Sequence, residues 1–167
     1  MSSARQLGDI RQICIVVKDL KATMEQYWTK LGIGPFRIYS LDTNELAGVT
    51  YRGQPANYRL QVAFATIGPL ELELIEPQGG DSSYQEFLDR HGEGVQHVGI
   101  YVQDQQDHQA AFAEMVRRGF KHLQGGPIPG KNRVGRFDYF ETNQELGTIY
   151  ELLDFPEQRA DPEETYP

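Results

Sequence analysis

The chain has 167 residues, of which 39% are hydrophobic and 24% charged, a composition typical of one globular domain and not of a disordered chain. Its formal net charge of −8 argues against a general nucleic-acid binder, whose affinity depends on basic side chains that neutralise phosphates. The chain shows no apolar run long enough to span a bilayer, no signal-peptide core and a single cysteine, Cys14, so we expect a cytoplasmic protein without disulfides.

Hydrophobic periodicity predicts two successive sets of elements. The first set is a strand at 10–17, a helix at 20–31, and strands at 36–41, 48–52, 58–67 and 70–76. The second is a helix at 82–90, a strand at 95–102, a helix that ends at Gly119, and strands at 120–123, 135–142 and 148–153. The tail from Pro156 is rich in Pro, Glu and Asp and is expected to form an arm or to be partly disordered.

The two sets of elements resemble each other. Residues 12–19, Gln-Ile-Cys-Ile-Val-Val-Lys-Asp, align with residues 97–104, His-Val-Gly-Ile-Tyr-Val-Gln-Asp, and residues 73–77 align with residues 151–156. Because the order of elements also repeats, we interpret the chain as a duplication. The predicted organisation is an arm (1–9), a first module (10–80), a linker helix (81–93), a second module (94–155) and an acidic tail (156–167).

Four polar residues lie at matching places on strands that are otherwise apolar. Gln12 and His97 begin equivalent strands, and Glu73 and Glu151 lie in the last strand of each half. A carboxylate inside a buried strand is costly unless it is paired or binds a metal. Taken singly, His97 is more typical of a hydrogen-bonded core histidine, and Glu73, which alternates with Glu71, of a solvent-facing strand residue. Their paired placement makes a single site for Mn²⁺, Co²⁺, Ni²⁺, Mg²⁺ or Zn²⁺ as good an explanation as these separate ones.

The chain resembles the vicinal oxygen chelate superfamily, and methylmalonyl-CoA epimerase-like members most closely. The motifs are Glu-Leu-Ile-Glu-Pro at 73–77, Phe-Leu-Asp-Arg-His-Gly-Glu-Gly-Val-Gln-His-Val-Gly-Ile-Tyr-Val-Gln-Asp at 87–104, and Leu-Gly-Thr-Ile-Tyr-Glu-Leu at 146–152. The resemblance covers residues 10–154. It implies an α+β fold in which two tandem βαβββ modules form a cleft-shaped mixed sheet, and a homodimer is common among such proteins.

The resemblance also implies a site. It places the divalent-metal ligands at Gln12, Glu73, His97 and Glu151. Epimerases have histidine where this chain has Gln12, and the set Gln, Glu, His, Glu is similar to that of eukaryotic glyoxalase I. The position of the epimerases' second base falls on Gln61, which has no basic group, so Gln61 is assigned to substrate binding.

The expected chemistry is removal of a proton beside a metal-bound carbonyl, with Glu151 as the first candidate base and Glu73 as the second. The leading interpretation is an isomerase or epimerase that acts on an acyl-CoA or hydroxy-ketone. The alternatives are a glyoxalase I-type lyase and a metal-free binding or resistance protein. The basic loop that carries Lys131, Arg133 and Arg136 is a candidate site for a substrate carboxylate or phosphate, or else a solvated hairpin.

Overall fold

The structure is a computed structural model that describes residues 6–167. Its helices are α1 (Leu20–Leu31), α2 (Ser83–His91), α3 (Gln105–Arg117) and α4 (Asn143–Leu146). Its strands are β1 (Asp9–Val16), β2 (Phe36–Asp42), β3 (Thr50–Tyr51), β4 (Gln54–Pro55), β5 (Tyr58–Ile67), β6 (Leu70–Gly80), β7 (Gly94–Tyr101), β8 (His122–Ile128), β9 (Gly135–Phe140), β10 (Ile149–Asp154) and β11 (Glu164–Tyr166). No helix in this range is long and apolar enough to cross a membrane.

The two long helices begin in the same way, directly after the first strand of each half. The Asp19 carboxylate accepts a hydrogen bond of 2.9 Å from the Ala22 amide at the start of α1. The Asp104 carboxylate accepts one of the same length from the Asp107 amide at the start of α3. Such caps satisfy backbone donors that a helix leaves free in its first turn. The repeated strand–aspartate–helix pattern of the sequence therefore corresponds to a repeated local structure.

All the strands join one mixed sheet in the order β11-β2-β5-β6-β1-β7-β10-β9-β8-β3-β4. In each half the first strand runs parallel to the last strand, as β1 does to β6 and β7 to β10. The two first strands then pair antiparallel with each other at the centre of the sheet. An antiparallel central pair relates the halves by an approximate twofold rotation. The fold is thus the expected α+β arrangement of two tandem βαβββ modules.

Each half also contributes a strand to the outer edge of the other. The predicted strand at 48–52 is the short β3, which forms a hairpin with β4 and pairs on its other side with β8 of the second half. At the opposite edge, β11 comes from the chain's tail and pairs with β2 of the first half. These additions cover the outer strands, whose backbone groups would otherwise lack partners. The tail is therefore packed on the sheet in the structure, where its composition favoured an arm or partial disorder.

The sheet separates two kinds of interior. On one face, α1 packs on apolar residues of β2, β5 and β6, and α3 packs on the corresponding strands of the second half. On the other face, residues from both halves form the walls of a cleft together with Tyr84 of α2. Because successive side chains of a strand alternate between faces, each strand supplies one set of residues to a helix and the other to the cleft.

Candidate metal centre

The strand register brings the four predicted polar side chains together at the base of the cleft. Their exposed fractions are small: Gln12 1%, Glu73 7%, His97 0% and Glu151 3%. Cys14 of β1 lies between Glu73 on β6 and His97 on β7 in one cross-strand row. In the next row, Gly99 of β7 lies opposite both Gln12 and Glu151. The predicted group is therefore assembled by two adjacent rows of the sheet.

The His97 ring is oriented by its neighbour on the same strand. Its Nδ1 lies 2.5 Å from Oε1 of Gln96, and the Gln96 amide nitrogen donates to Ser83 Oγ at 3.2 Å. Because the Gln96 oxygen can only accept, Nδ1 must carry the proton in this contact. In a neutral ring, Nε2 is then the nitrogen with a free lone pair. Fixing the tautomer through the distal nitrogen is the usual support of a metal-binding histidine.

The free nitrogen of His97 faces two carboxylate oxygens. Nε2 lies 3.2 Å from Oε2 of Glu73 and 3.1 Å from Oε2 of Glu151, yet none of these atoms has a hydrogen-bond partner of acceptable geometry. Oε1 of Gln12 is also buried without a partner. Lone pairs that face one another in a buried site require a cation between them. A proton on His97 meets part of this need, and a divalent ion meets all of it, so the residues fit the metal site that the sequence predicts.

The pKa values of His97 and Glu151 are shifted by burial and by the interactions between the residues of the centre. Burial raises the pKa of Glu151 to about 7, although the charged form is favoured by His97 and by a hydrogen bond from Tyr139. Burial alone lowers the pKa of His97, but its interactions with Cys14 and Glu151 outweigh this effect and raise the pKa well above its ordinary value. The charged forms of the Glu151 carboxylate and the His97 imidazole thus stabilise each other.

A cavity of about 240 Å³ opens above the group. Its lining includes Gln12, Glu73 and Glu151 at the base, and its walls are mostly aliphatic and aromatic residues: Tyr39, Leu41, Leu60, Val62, Phe64, Ile75, Tyr84, Ile128, Phe137, Tyr139, Leu153 and Phe155. The hydroxyls of Tyr84 and Tyr139 lie 2.7 Å apart. The Tyr139 ring packs on His97 with centroids 4.7 Å apart. A polar base under apolar walls is typical of a small-molecule site.

Arg159 is the one cationic side chain among the described residues that line this cavity. It arrives from the tail segment that crosses from β10 to the edge of β2. Its guanidinium binds both oxygens of Glu71, at 2.8 and 3.0 Å, and lies 3.7 Å from the centroid of the Phe155 ring. Arg37 donates to the same carboxylate at 2.7 Å. Glu71 therefore shares the cleft face with Glu73 because two arginines neutralise it.

The basic loop predicted to bind substrate does not line the cavity. Lys131 pairs with Asp161 at 2.6 Å, and Arg133 donates to both oxygens of Asp154. Arg136 pairs with Asp138 at 2.6 Å, on the face of β9 that is turned toward α3. These three side chains hold the tail and the helix face in place, since each has an acidic partner outside the cleft.

Gln61, which was assigned to substrate binding, also lies outside the cavity. The cavity is lined by Leu60 and Val62 of β5, so the intervening Gln61 points to the opposite face of the sheet, where it is exposed. Strand alternation alone carries this information.

Three residues at the centre were not assigned by the sequence: Cys14, Tyr84 and Arg159. Cys14 lies two residues after Gln12, and that spacing is a local signal that it shares the same face. Tyr84 belongs to the linker helix and Arg159 to the tail, and neither has a counterpart in the repeat. No local pattern could have placed them in the cleft, since their position depends on how distant segments pack.

Comparison with known proteins supports the fold. The model of the "Glyoxalase/Bleomycin resistance protein/Dioxygenase superfamily" matches residues 11–139. No curated protein matches the sequence.

Three solved structures share the fold at low sequence identity. A methylmalonyl-CoA epimerase from Mycobacterium tuberculosis is 18% identical, with a TM-score of 0.65, over 92% of this chain and 93% of that one. A variant Streptomyces coelicolor methylmalonyl-CoA epimerase in complex with 2-nitronate-propionyl-CoA is 23% identical, with a TM-score of 0.63, over 93% and 99% of the two chains. A hypothetical protein from Bacillus halodurans C-125 is 23% identical, with a TM-score of 0.61, over 92% and 98%.

Proposed function

The chain belongs to the glyoxalase/bleomycin resistance/dioxygenase superfamily, and on that premise we propose that it is a divalent-metal-dependent enzyme that removes a proton from the carbon beside a carbonyl group. One observation carries the proposal. Four buried donor atoms, contributed by Gln12, Glu73, His97 and Glu151, lie without hydrogen-bond partners at the base of a mostly apolar cavity. Buried polar atoms left unpaired in this way are costly and mark sites where a ligand completes the structure.

The four residues would hold one ion. Two carboxylates balance its double charge, and one imidazole and one amide oxygen complete a donor set that suits Zn²⁺, Co²⁺, Ni²⁺, Mn²⁺ or Mg²⁺. When bound, the ion supplies Lewis-acid stabilisation of negative charge on a carbonyl oxygen. Gln96 keeps the His97 ring in the tautomer with its lone pair directed into the centre.

Glu151 is the preferred base, and Glu73 is the second candidate. Both carboxylates line the cavity, so each can reach a carbon that enters it. Glu151 lies in a water-poor environment that favours its protonated form, which suits a carboxylate that must accept a proton from carbon. The Tyr139 hydroxyl, paired with that of Tyr84, borders the same space and orients the carboxylate.

The substrate would bear an anionic group at the mouth of the cavity. Arg37 and Arg159 bring two positive charges to the single charge of Glu71, which leaves an excess positive charge at that point. Guanidinium groups bind carboxylates and phosphates in a fork geometry. Acyl-CoA thioesters and hydroxy-ketones with an acidic group are therefore the first substrates to test. The homodimer and the cytoplasmic location stay predictions.

The nearest alternative is a glyoxalase I-type lyase, and the observation that favours it is Gln12. The amide of Gln12 is buried in the centre, at a position where epimerases have histidine. The metal-free binding protein is the less favoured alternative, because such a protein would gain nothing from two carboxylates whose oxygens lack partners in a buried site.

Metal analysis tests the centre. The purified protein is expected to bind one equivalent of divalent metal, and His97→Ala and Glu151→Ala are each expected to abolish that binding. His91→Ala and Glu145→Ala make the same chemical changes at exposed positions and should leave the stoichiometry at one. Retention of metal by both the His97 and Glu151 variants would refute the assignment.

Solvent deuterium exchange tests the reaction. The wild-type enzyme should exchange the proton beside the carbonyl of an acyl-CoA or hydroxy-ketone substrate, whether or not net turnover is seen. Glu151→Gln keeps an oxygen donor but has no basic group, so we expect it to retain metal and to lose exchange by about 10²-fold or more. Activity that requires glutathione would identify the lyase, and metal binding without exchange on any candidate would contradict the proton-transfer function.

A further inference from the structure

Besides Gln12 and His97, a second pair of equivalent positions at the centre carries different residues. The rotation that relates Gln12 to His97 also relates Cys14 to Gly99, since both lie two residues further along their strands. A Cβ atom at Gly99 would lie 2.6 Å from Oε1 of Gln12 and 2.9 Å from its Cβ. The absence of a side chain at Gly99 therefore leaves the space that the Gln12 side chain occupies. At the related position, beside His97, the chain has a thiol.

The thiol of Cys14 is directed at the same group of donors. One ligand atom each of Cys14, Glu73 and His97 lies within 4.8 Å of the others, and all three residues are buried. In the sheet, Cys14 lies between Glu73 and His97 in a single cross-strand row, and side chains of one row point to one face.

A simpler explanation is that Cys14 is a small core residue, because free cysteines are among the most buried residue types. That explanation accounts for its 0% exposure and for its contacts with the central apolar cluster. It does not account for its neighbours. Oε2 of Glu73 and Nε2 of His97 are buried beside the thiol without hydrogen-bond partners, and an apolar side chain at this position would leave them equally unpaired.

We propose that Cys14 is an additional, thiolate donor of the metal centre and makes it prefer Zn²⁺ or Co²⁺ over Mg²⁺ and Mn²⁺. This inference rests on the proposed function, since it requires that an ion bind to Gln12, Glu73, His97 and Glu151. Thiolates are soft ligands and select borderline-soft ions, whereas carboxylate and amide oxygens alone do not discriminate against hard ones. The thiol releases one proton to solvent when it binds the ion, so charge and atoms balance.

Cobalt is the probe for this test. Co²⁺ has visible d–d absorption that reports its binding by any of the donors, and a thiolate ligand adds a separate sulfur-to-cobalt charge-transfer band in the near ultraviolet. The metal-free full-length protein would be titrated with Co²⁺, and then with Zn²⁺ and Mg²⁺ in competition. The wild type should show both absorptions and a Zn²⁺ affinity that exceeds its Mg²⁺ affinity.

Cys14→Ser and Cys14→Ala should keep the d–d absorption, lose the charge-transfer band and bind Zn²⁺ about 10–100-fold more weakly, with little change for Mg²⁺. Val16→Ala is the matched control, because Val16 is buried on the same strand and the same face but brings no donor atom. Val16→Ala removes core volume but no donor atom, so the folded variant should preserve both absorptions.

Each outcome decides the matter. Charge transfer in the wild type that disappears in both Cys14 variants supports the thiolate. A wild type with d–d absorption but no charge transfer overturns the Cys14 inference and leaves the four-residue centre intact. No cobalt absorption at all overturns the inference together with the metal-dependent function.

Discussion

The two modules place different side chains at equivalent positions beneath their long helices. In the first, Ala63 of β5 pairs with Leu74, the residue after Glu73, and both are fully buried. In the second, the position with the same register is Asp138 of β9, which pairs with Leu152, the residue after Glu151. Asp138 is also fully buried. One helix thus packs on an apolar surface, and the other packs over a buried carboxylate.

The buried carboxylate of the second module is surrounded by partners from three elements. Asp138 lies 2.7 Å from Nε2 of His122 on β8 and 3.4 Å from Nε2 of His108 on α3, and Nε of Arg136 donates to it at 2.6 Å. Space for the carboxylate is left by Gly125, where a Cβ would lie 2.1 Å from Oδ1. The same backbone position thus holds an alanine in one module and an aspartate in the other, and the polarity of the surrounding side chains determines which residue is stable there.

The strongest test of this comparison introduces the aspartate of the second module into the first module without the polar neighbours of Asp138. Ala63→Asp would place a carboxylate in the apolar cluster that includes Leu20 and Met24 of the first module. We expect a loss of about 3–5 kcal/mol or failure to fold, measured by chemical denaturation. Gln61→Asp on the same strand and face is exposed and should change stability by less than about 0.5 kcal/mol.

The reverse exchange should cost somewhat less. Asp138→Ala removes the shared partner of two histidines and an arginine, and we expect about 3 kcal/mol of destabilisation because His108 is left in a buried site. Asp138→Asn keeps the shape of the side chain and part of its hydrogen bonding, so its loss of stability should be smaller than that of Asp138→Ala. An alanine variant as stable as the wild type would show that the second helix needs its polar network no more than the first.

The central strands offer a third test. Gly99→Ala adds a methyl group where its carbon would meet Gln12 and, at 2.7 Å, Leu153. We expect about 1–3 kcal/mol of destabilisation from overpacking, together with weaker metal binding as Gln12 is displaced. Gly94→Ala on the same strand is the control, since its Cβ would approach nothing closer than Phe87 at 3.9 Å. Isothermal titration with Zn²⁺ and thermal melts would separate the two effects.

The smallest expected effect concerns pH. Burial lowers the pKa of His108, and Asp138 only partly opposes this. The unfolded chain therefore binds a proton at a higher pH than the folded protein, so stability is retained above the ordinary histidine value of about 6.5 and falls as the pH drops below it. Denaturation of the wild type and His108→Gln between pH 7.5 and 5.5 should show a steeper loss in the wild type. Parallel curves would contradict this.

Much of the centre was predictable because its signals are local. The repeat pairs Gln12 with His97 and Glu73 with Glu151, and strand periodicity places such residues on one face. The two capping aspartates likewise follow from neighbouring sequence. The same periodicity, applied to Leu60 and Val62, places Gln61 on the face of the sheet opposite the cleft.

By itself, the sequence determined the order of the main strands and the placement of Gln12, Glu73, His97 and Glu151 on one face, because hydrophobic period and duplication are properties of contiguous segments. Only the tertiary structure decided that Arg159 lies in the cavity while Lys131, Arg133 and Arg136 do not, and that Cys14 lies beside His97. The physical reason is that the position of a charged side chain depends on the oppositely charged groups with which it pairs. Those partners, such as Glu71 for Arg159, lie far away along the chain and become neighbours only when the sheet is assembled.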